Sequence, residues 1–521
     1  MNYFSPTENW FNFCVLLIAL FLLKGVVYLS IMPPFEGWDE YQHLAYISYL
    51  DKYHERPILN NAFVSRDVLK QIVQFPVSQS MLDQTRSVGT VHYKTFFDPA
   101  FSGVQYNDKH HNIPLYQAQH GSLYYRLILP VTKIFSSDTN LLSKIFTLRF
   151  INILFVTASL AIILGLINQI VTQKNHAAVI ALLLICQPLL LINSARVAND
   201  AFAILTGTGV IAIGLLPSLR NKFAFSVITG MLIGISCWAK SISTILFPFW
   251  ICSLCISWHN KEISFKKMML CLIVSNVIAF LILKEYFFFN IDNYGMLFVM
   301  QEAIVNSNNN RSFVDILKVS FESPMMKDIF CMWSKVWIGG WSFLKVSNVN
   351  NISFALIVVS FLGWAYNSFS KEKSQGVISL ETSLLCFSTC FFTSLALSWH
   401  YLQSTLAWGQ ATTCVWYISI TLPFFLLFVY DSASHWSGRT SFIIGSLLTI
   451  TYIYADIRGS LTMISFYSGG ANTSEALSRI ASIHPASFNT TTLLVAAALF
   501  LCLLSFLFAI VLQCNRMYFR R

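Results

Sequence analysis

Apolar residues along this chain come in continuous blocks, each close to the ~20 residues that a helix needs to cross the ~30 Å hydrocarbon core of a bilayer. The blocks fall at 11–31, 144–168, 177–195, 199–216, 222–238, 241–258, 267–287, 352–369, 378–398, 410–430, 440–456 and 491–513. Within them apolar and polar positions do not alternate with the period of two that a membrane barrel strand shows. In lipid every backbone N–H and C=O must be paired internally, which then leaves helices. The pattern predicts an all-α polytopic membrane protein with about 12 transmembrane helices, one integral membrane domain over 1–521, and both termini on one side.

The first block has no basic stretch before it and no small-x-small cleavage site after it. Pro33 and Pro34 follow instead, so it reads as a retained span rather than a signal peptide. Most connections are short, but three are long: 32–143, 288–351 and 457–490. The first carries Trp38, Tyr41, Tyr46, Phe75, Phe96, Phe97 and Tyr106, and helix-like stretches near 39–52 and 62–74. A long connection of that composition is expected to fold against the membrane surface and to carry function. No internal repeat of the kind many transporters show is visible.

Composition strengthens the membrane reading. Of 521 residues, 55% are apolar and 11% charged, against roughly 25% charged in soluble domains. The net charge of +10 would suggest nucleic acid in a soluble protein. Here the cations sit between apolar blocks, so topology explains them and no nucleic-acid partner is expected. Alternate short connections and the C-terminal tail hold Lys174, Arg220, Lys222, Lys261, Lys266, Lys267, Lys371, Lys373, Arg439, Arg516, Arg520 and Arg521. The short connections of the other set hold Arg196 and Lys240. Cytoplasmic termini follow, with the three long loops facing outward from a bacterial inner membrane or, in a eukaryote, into the lumen. The sequons at Asn310, Asn351, Asn472 and Asn489 lie on or beside those outer loops. Of the 12 cysteines none lies in 32–120, which excludes a disulfide framework there. Cys252 and Cys255 have CxxC spacing but read as small apolar residues on a helix.

Candidate chemistry gathers at the ends of these blocks. The first loop opens with Pro33-Pro34-Phe35-Glu36-Gly37-Trp38-Asp39-Glu40-Tyr41-Gln42-His43. A carboxylate held at the membrane face can deprotonate a hydroxyl acceptor or bind a divalent cation such as Mg or Mn. Asp39 and Glu40 are the candidates, and His43 follows Asp39 at i+4. The competing reading makes Asp39 a helix N-cap with Glu40 in the first turn. The loop closes with Gln119-His120-Gly121-Ser122-Leu123-Tyr124-Tyr125, where Gln119, His120 and Tyr124 can line a polar pocket or form an interfacial aromatic belt. Arg149, Arg196, Asn199, Asp200 and Lys240 lie in or beside spans, where ionisable side chains are either functional or paired. Arg149, Arg196 and Lys240 could together hold a phosphate. Trp333, Trp337 and Trp341, four apart, suit stacking on sugar rings or lying among lipid headgroups.

Taken in order, these positions resemble the GT-C superfamily of membrane glycosyltransferases, which includes protein O-mannosyltransferases and the lipid A aminoarabinose transferase. The resemblance rests on a single span, a long outer loop opening with Trp38-Asp39-Glu40 and His43, and His120-Gly121-Ser122-Leu123-Tyr124-Tyr125 where relatives often have His-Pro-Pro-Leu-Tyr-Tyr. Asn199-Asp200-Ala201 and Trp238-Ala239-Lys240-Ser241 continue it. Two departures stand out: Gly121-Ser122 replaces the prolines, and Trp408-Gly409-Gln410-Ala411 lacks the arginine of a Gly-Arg-Tyr segment. The resemblance implies transfer of a sugar from a polyprenyl-phosphate donor to a glycan, lipid or protein acceptor at the outer face. Asp39 would be the general base, with Glu40 and His43 positioning it or binding a divalent ion. Arg149, Arg196 and Lys240 would hold the leaving lipid phosphate, and Gln119, His120, Tyr124, Asn199 and Asp200 would line the pocket. A transporter or flippase, or a non-catalytic assembly subunit, are the alternatives.

Overall fold

The computed structural model describes residues 9–110, 112–134, 141–339, 342–369 and 376–520, with backbone only at 110, 473–474 and 512–520. Trp341, Lys371, Lys373 and the side chains of Arg516, Arg520 and Arg521 lie outside the described residues. The described residues are mainly helical. Among the described residues the strands are Pro76–Val77 and Val91–His92, paired in parallel with Pro76 opposite Val91.

The expected 12 spans become fewer. Eight helices are long and apolar enough to cross a membrane: Trp10–Leu29, Leu141–Ile170, Ser241–His259, Phe265–Tyr294, Val349–Phe369, Leu380–Trp408, Gly438–Tyr467 and Thr490–Val511. A ninth is broken, Lys174–Cys186 and Pro188–Ser194 meeting at 43°; Pro188 cannot donate to the preceding turn, and Gln187 is extended before it. Three expected spans are short apolar helices, Asp200–Leu215, Phe223–Ala239 and Leu422–Ser434. At 1.5 Å per residue none reaches the ~30 Å of a hydrocarbon core. The apolar block 410–430 is not one helix: it starts as a loop, makes a 3₁₀ turn at Val415–Ile418, and becomes helical only at Leu422.

Small residues set how closely the helices pack. A Cβ on Gly230 would stand 2.4 Å from the Ser275 carbonyl, and one on Gly234 would stand 2.9 Å from Ile282 Cβ, so Phe223–Ala239 and Phe265–Tyr294 meet backbone to backbone. A buried ion pair joins the first span to Gly438–Tyr467. Lys24 Nζ lies 2.6 Å from Asp456 Oδ2 and donates to the Cys186 carbonyl at 3.1 Å. Tyr28 donates to Asp456 Oδ1 at 2.8 Å, and Trp337 Nε1 donates to the Tyr28 hydroxyl at 2.8 Å. Trp337 is thereby buried inside the bundle. Trp333 is also buried, its Nε1 donating to Ser394 at 3.0 Å. Neither stacks on a sugar or lies among headgroups, as the sequence had suggested, because each indole N–H is satisfied within the bundle.

The first long loop folds as a cap. Helices Glu40–Tyr53, Arg66–Ile72 and Gln79–Thr85 are followed by irregular chain and by Leu123–Ile134, which leads back toward the second span. Their apolar faces are continuous with the core of the bundle, with Tyr41, Tyr46, Leu69, Met81, Tyr93 and Tyr124 fully buried.

Candidate active site

The chain leaves the first span through a turn containing two non-glycine residues with positive φ, Phe35 at 68° and Asp39 at 59°. Such conformations are costly for most side chains and tolerated by Asp, and they need surrounding contacts to hold them. Here those contacts come from Glu40. Its Oε1 accepts from Arg149 Nε at 2.7 Å and the Val197 amide at 2.8 Å, and its Oε2 accepts from Arg149 Nη2 at 2.6 Å and the Phe35 amide at 2.8 Å. Arg149 also donates to the Met32 and Pro33 carbonyls, both at 2.7 Å. All four lone-pair directions of the carboxylate are taken, and both side chains are 0% exposed. Glu40 thus has no oxygen left for a metal, and Arg149 presents nothing to a ligand. The Asp39–Glu40 pair does not fit a divalent cation, and among the described residues no group of three or more His, Cys, Asp or Glu side chains converges to hold one.

Asp39 is placed differently. It is the N-cap residue of the helix Glu40–Tyr53 with Glu40 in the first turn, as the competing reading had it, but its side chain makes no capping hydrogen bond. Oδ1 instead accepts from the Tyr116 hydroxyl at 2.6 Å, and the residue stays partly accessible while its neighbours on both sides are buried. Loss of solvation pushes its pKa above the usual carboxylate value. The Tyr116 hydrogen bond and the charges of Arg196 and Lys240 oppose that rise, and Asp200 adds to it.

Those charges form one cluster. Arg196 Nη2 donates to Asp200 Oδ2 at 2.6 Å and to Asn193 Oδ1 at 2.8 Å, and its Nη1 donates to the Trp38 carbonyl. Lys240 donates to Asp200 Oδ1. The Arg196 guanidinium lies 5.2 Å from the Trp38 ring centre and 5.5 Å from that of Trp416, and the two indoles stack at 4.8 Å. Gly37 lets this happen, since a Cβ there would sit 2.4 Å from Arg196 Cβ. Lys240 lies 5.1 Å above the Tyr417 ring. Two cations face one carboxylate, leaving one net positive charge beside Asp39.

The remaining predicted residues divide. His120 is partly exposed next to the cluster, and burial together with Lys240 lowers its pKa to about 3, so it is neutral at ordinary pH. Gln119 Oε1 accepts from the Gln301 amide at 3.0 Å, tying the first long loop to the second. Asn199 donates to the Ala239 carbonyl at 2.7 Å, and its buried Oδ1 has no partner among the described residues. Tyr124 is fully buried and donates to Asn152 at 3.0 Å; Asn152 in turn donates to the Arg196 carbonyl at 2.6 Å, so Tyr124 supports the cluster from behind. His43 does not turn to Asp39. Its Nδ1 is 2.8 Å from the Tyr125 hydroxyl, and burial holds its pKa well below the ordinary value.

The departure at Gly121 has a packing cause. A Cβ there would lie 1.9 Å from the Trp238 carbonyl oxygen. Sequence reasoning missed Tyr116 and Tyr417. Tyr116 sits three residues before the Gln–His pair, inside a 3₁₀ turn that no periodicity announces. Tyr417 lies in a block that reads as a membrane span.

No family model matches the chain, and no curated protein matches it. Among solved structures, the Archaeoglobus fulgidus oligosaccharyltransferase in complex with zinc and sulfate is similar to it with a TM-score of 0.42 and 14% identity. The match covers 87% of this chain and 54% of that one, so this chain spans about half of that protein's length.

Proposed function

We propose that the protein is a membrane glycosyltransferase of GT-C type, moving a sugar from a polyprenyl-phosphate donor to a hydroxyl acceptor at the outer face. The observation that carries this reading is Asp39, partly exposed as a residue and with its carboxylate held by Tyr116 rather than by a helix-capping bond, next to the buried Arg196–Asp200–Lys240 cluster. A base and a cationic patch side by side are what displacement at an anomeric carbon next to phosphate requires.

In the proposed step Asp39 takes the proton of the acceptor hydroxyl. The acceptor oxygen bonds to the anomeric carbon, the bond from that carbon to the phosphate oxygen breaks, and its electron pair stays on the lipid phosphate. Lys240 and Arg196 offset the charge that grows there. A raised Asp39 pKa suits the role, since a base nearer the working pH removes a proton more effectively. Glu40 and Arg149 act by holding the turn that presents Asp39. Transfer of labelled sugar from a polyprenyl-phosphate donor by the purified protein, followed with a panel of glycan, lipid and protein acceptors, tests this. A covalent product supports it. Movement of the intact donor across proteoliposomes with no covalent product would establish a flippase instead.

A further inference from the structure

The second long loop carries a helix with three distinct faces. Helix Phe313–Glu322 opens on a complete capping box: the Ser312 hydroxyl accepts from the Asp315 amide at 3.3 Å, and the Ser312 amide donates to Asp315 Oδ2 at 2.8 Å. Successive side chains turn by about 100° around such a helix. One arc holds Ile316, which is buried, with Val319 and Ser320 half-buried on either side, and the helix packs on the span Leu380–Trp408. A second arc holds Phe313, Val314, Leu317 and Phe321. All four are exposed, Phe321 to 88%. The third holds Lys318 and Glu322, both exposed, with Asp315 beside them. Single exposed apolar side chains are ordinary, but four adjoining ones on one short helix mark an interaction surface.

The neighbouring span sets the height of that surface. An exposed apolar stripe on Leu380–Trp408 runs through Leu380, Leu384, Phe387, Phe391 and Leu395 at three- and four-residue spacing and ends at Trp399. From Leu380 to Trp399 is about 28 Å, close to the ~30 Å of a hydrocarbon core, and Trp is the residue expected at its boundary. Just beyond, Tyr401, Leu402, Gln403 and Ser404 are buried, and two of them are held by the second loop. Tyr401 donates to Asp328 Oδ2 at 3.0 Å, and Asn306 Nδ2 donates to Gln403 Oε1 at 2.7 Å. Asn306 and Asp328 flank helix Phe313–Glu322 in the chain, so the exposed arc stands level with the end of the lipid-facing stripe. The apolar surface also continues sideways. Met326 is 73% exposed, and the exposed Phe330 meets Phe354 of the span Val349–Phe369 with ring centres 5.3 Å apart. A flat helix with a protein face, an apolar face and a charged face, continuous with two spans, fits one partner. We infer that helix Phe313–Glu322 lies in the lipid–water boundary on the cap's side of the membrane. Phe313, Val314, Leu317 and Phe321 sit among the lipid chains, and Lys318 and Glu322 face water. The second long loop is thus seated in the bilayer there rather than standing in water along its whole length. This placement does not depend on the transfer reaction.

Photocrosslinking of the full chain in vesicles of palmitoyl-oleoyl phosphatidylcholine tests it. p-Benzoylphenylalanine replaces one residue at a time: Leu317, Phe321, Lys318, Ser102 on the cap, or Leu395 on the span. Melting temperatures confirm that each protein is folded, and mass spectrometry after irradiation identifies what each position has bonded to. The probe at Leu395 faces lipid on the span and calibrates the yield, so a negative result elsewhere is decisive. Lipid adducts are expected at 317 and 321 at a yield at least about tenfold above that at 318 and 102. Yields at 317 and 321 no higher than at 102 overturn the proposal, since the helix then stands in water. Chain-to-chain crosslinks at 317 and 321 in place of lipid overturn it as well, making the arc an interface between copies. A lipid yield at 318 equal to that at 321 rules out the flat orientation.

Discussion

Two adjacent carboxylates, Asp39 and Glu40, carry most of the meaning at the residue scale, and they do opposite things. Glu40 is spent on Arg149 and two amides, so Glu40→Gln leaves the guanidinium buried beside a neutral partner. Loss of one partner of a buried pair costs about 3–5 kcal/mol, and thermal unfolding in detergent should show it. Tyr116→Phe removes the hydrogen bond that lowers the Asp39 pKa. The acid limb of kcat/KM against pH should then move to higher pH, since Asp39 would stay protonated further up the scale. Glu36 supplies a stability switch. It is fully buried with Oε1 on the Ser78 amide at 2.7 Å, and burial raises its pKa from 4.5 to about 7. The folded state keeps a proton that the unfolded state gives up, so stability falls as pH rises from 4.5 through 7 and is level above. That shift corresponds to about 3 kcal/mol, and Glu36→Gln should flatten the dependence and raise stability at pH 8. The sequence singled out this segment, but not which carboxylate is taken up by Arg149. Asp39 and Glu40 are separated by which one faces Arg149, 109 positions away, and no local pattern encodes that.

Elements were legible where apolar periodicity sets their length and misleading where packing does. Long blocks such as 144–168 and 267–287 are helices, extended at their ends to Leu141–Ile170 and Phe265–Tyr294. The helix Asp200–Leu215 is too short to span alone, and nearly every residue in it is buried, so neighbouring helices rather than lipid surround it. The block 410–430 failed because hydropathy does not register the loop before Val415 that brings Tyr417 to the site. At this scale the glycine contact between Phe223–Ala239 and Phe265–Tyr294 makes a prediction. Gly230→Leu drives a branched side chain into the Ser275 carbonyl and should lower the unfolding temperature. Ala at the same position should do so less, as circular dichroism melts would show.

For the whole molecule, hydropathy and charge together predicted a helical membrane protein capped by a folded first loop, and the structure has that cap and eight helices of spanning character. The side on which the cap lies follows from charge asymmetry alone. Of single cysteines in place of Ser102, on the cap, and Lys222, in a Lys- and Arg-bearing connection, the first should react with a membrane-impermeant maleimide in intact cells and the second only after the membrane is permeabilised. Labelling of both cysteines in intact cells, or of the one at 222 alone, would overturn the topology. The account as a whole depends on one carboxylate being free to take a proton. Its most direct test is the rate of labelled-sugar transfer from polyprenyl phosphate by wild type and by Asp39→Asn, with both proteins confirmed folded by their melting temperatures. The account predicts product from wild type and a fall of at least about 100-fold in Asp39→Asn, the scale expected on losing a general base; equal rates from the two proteins would contradict it.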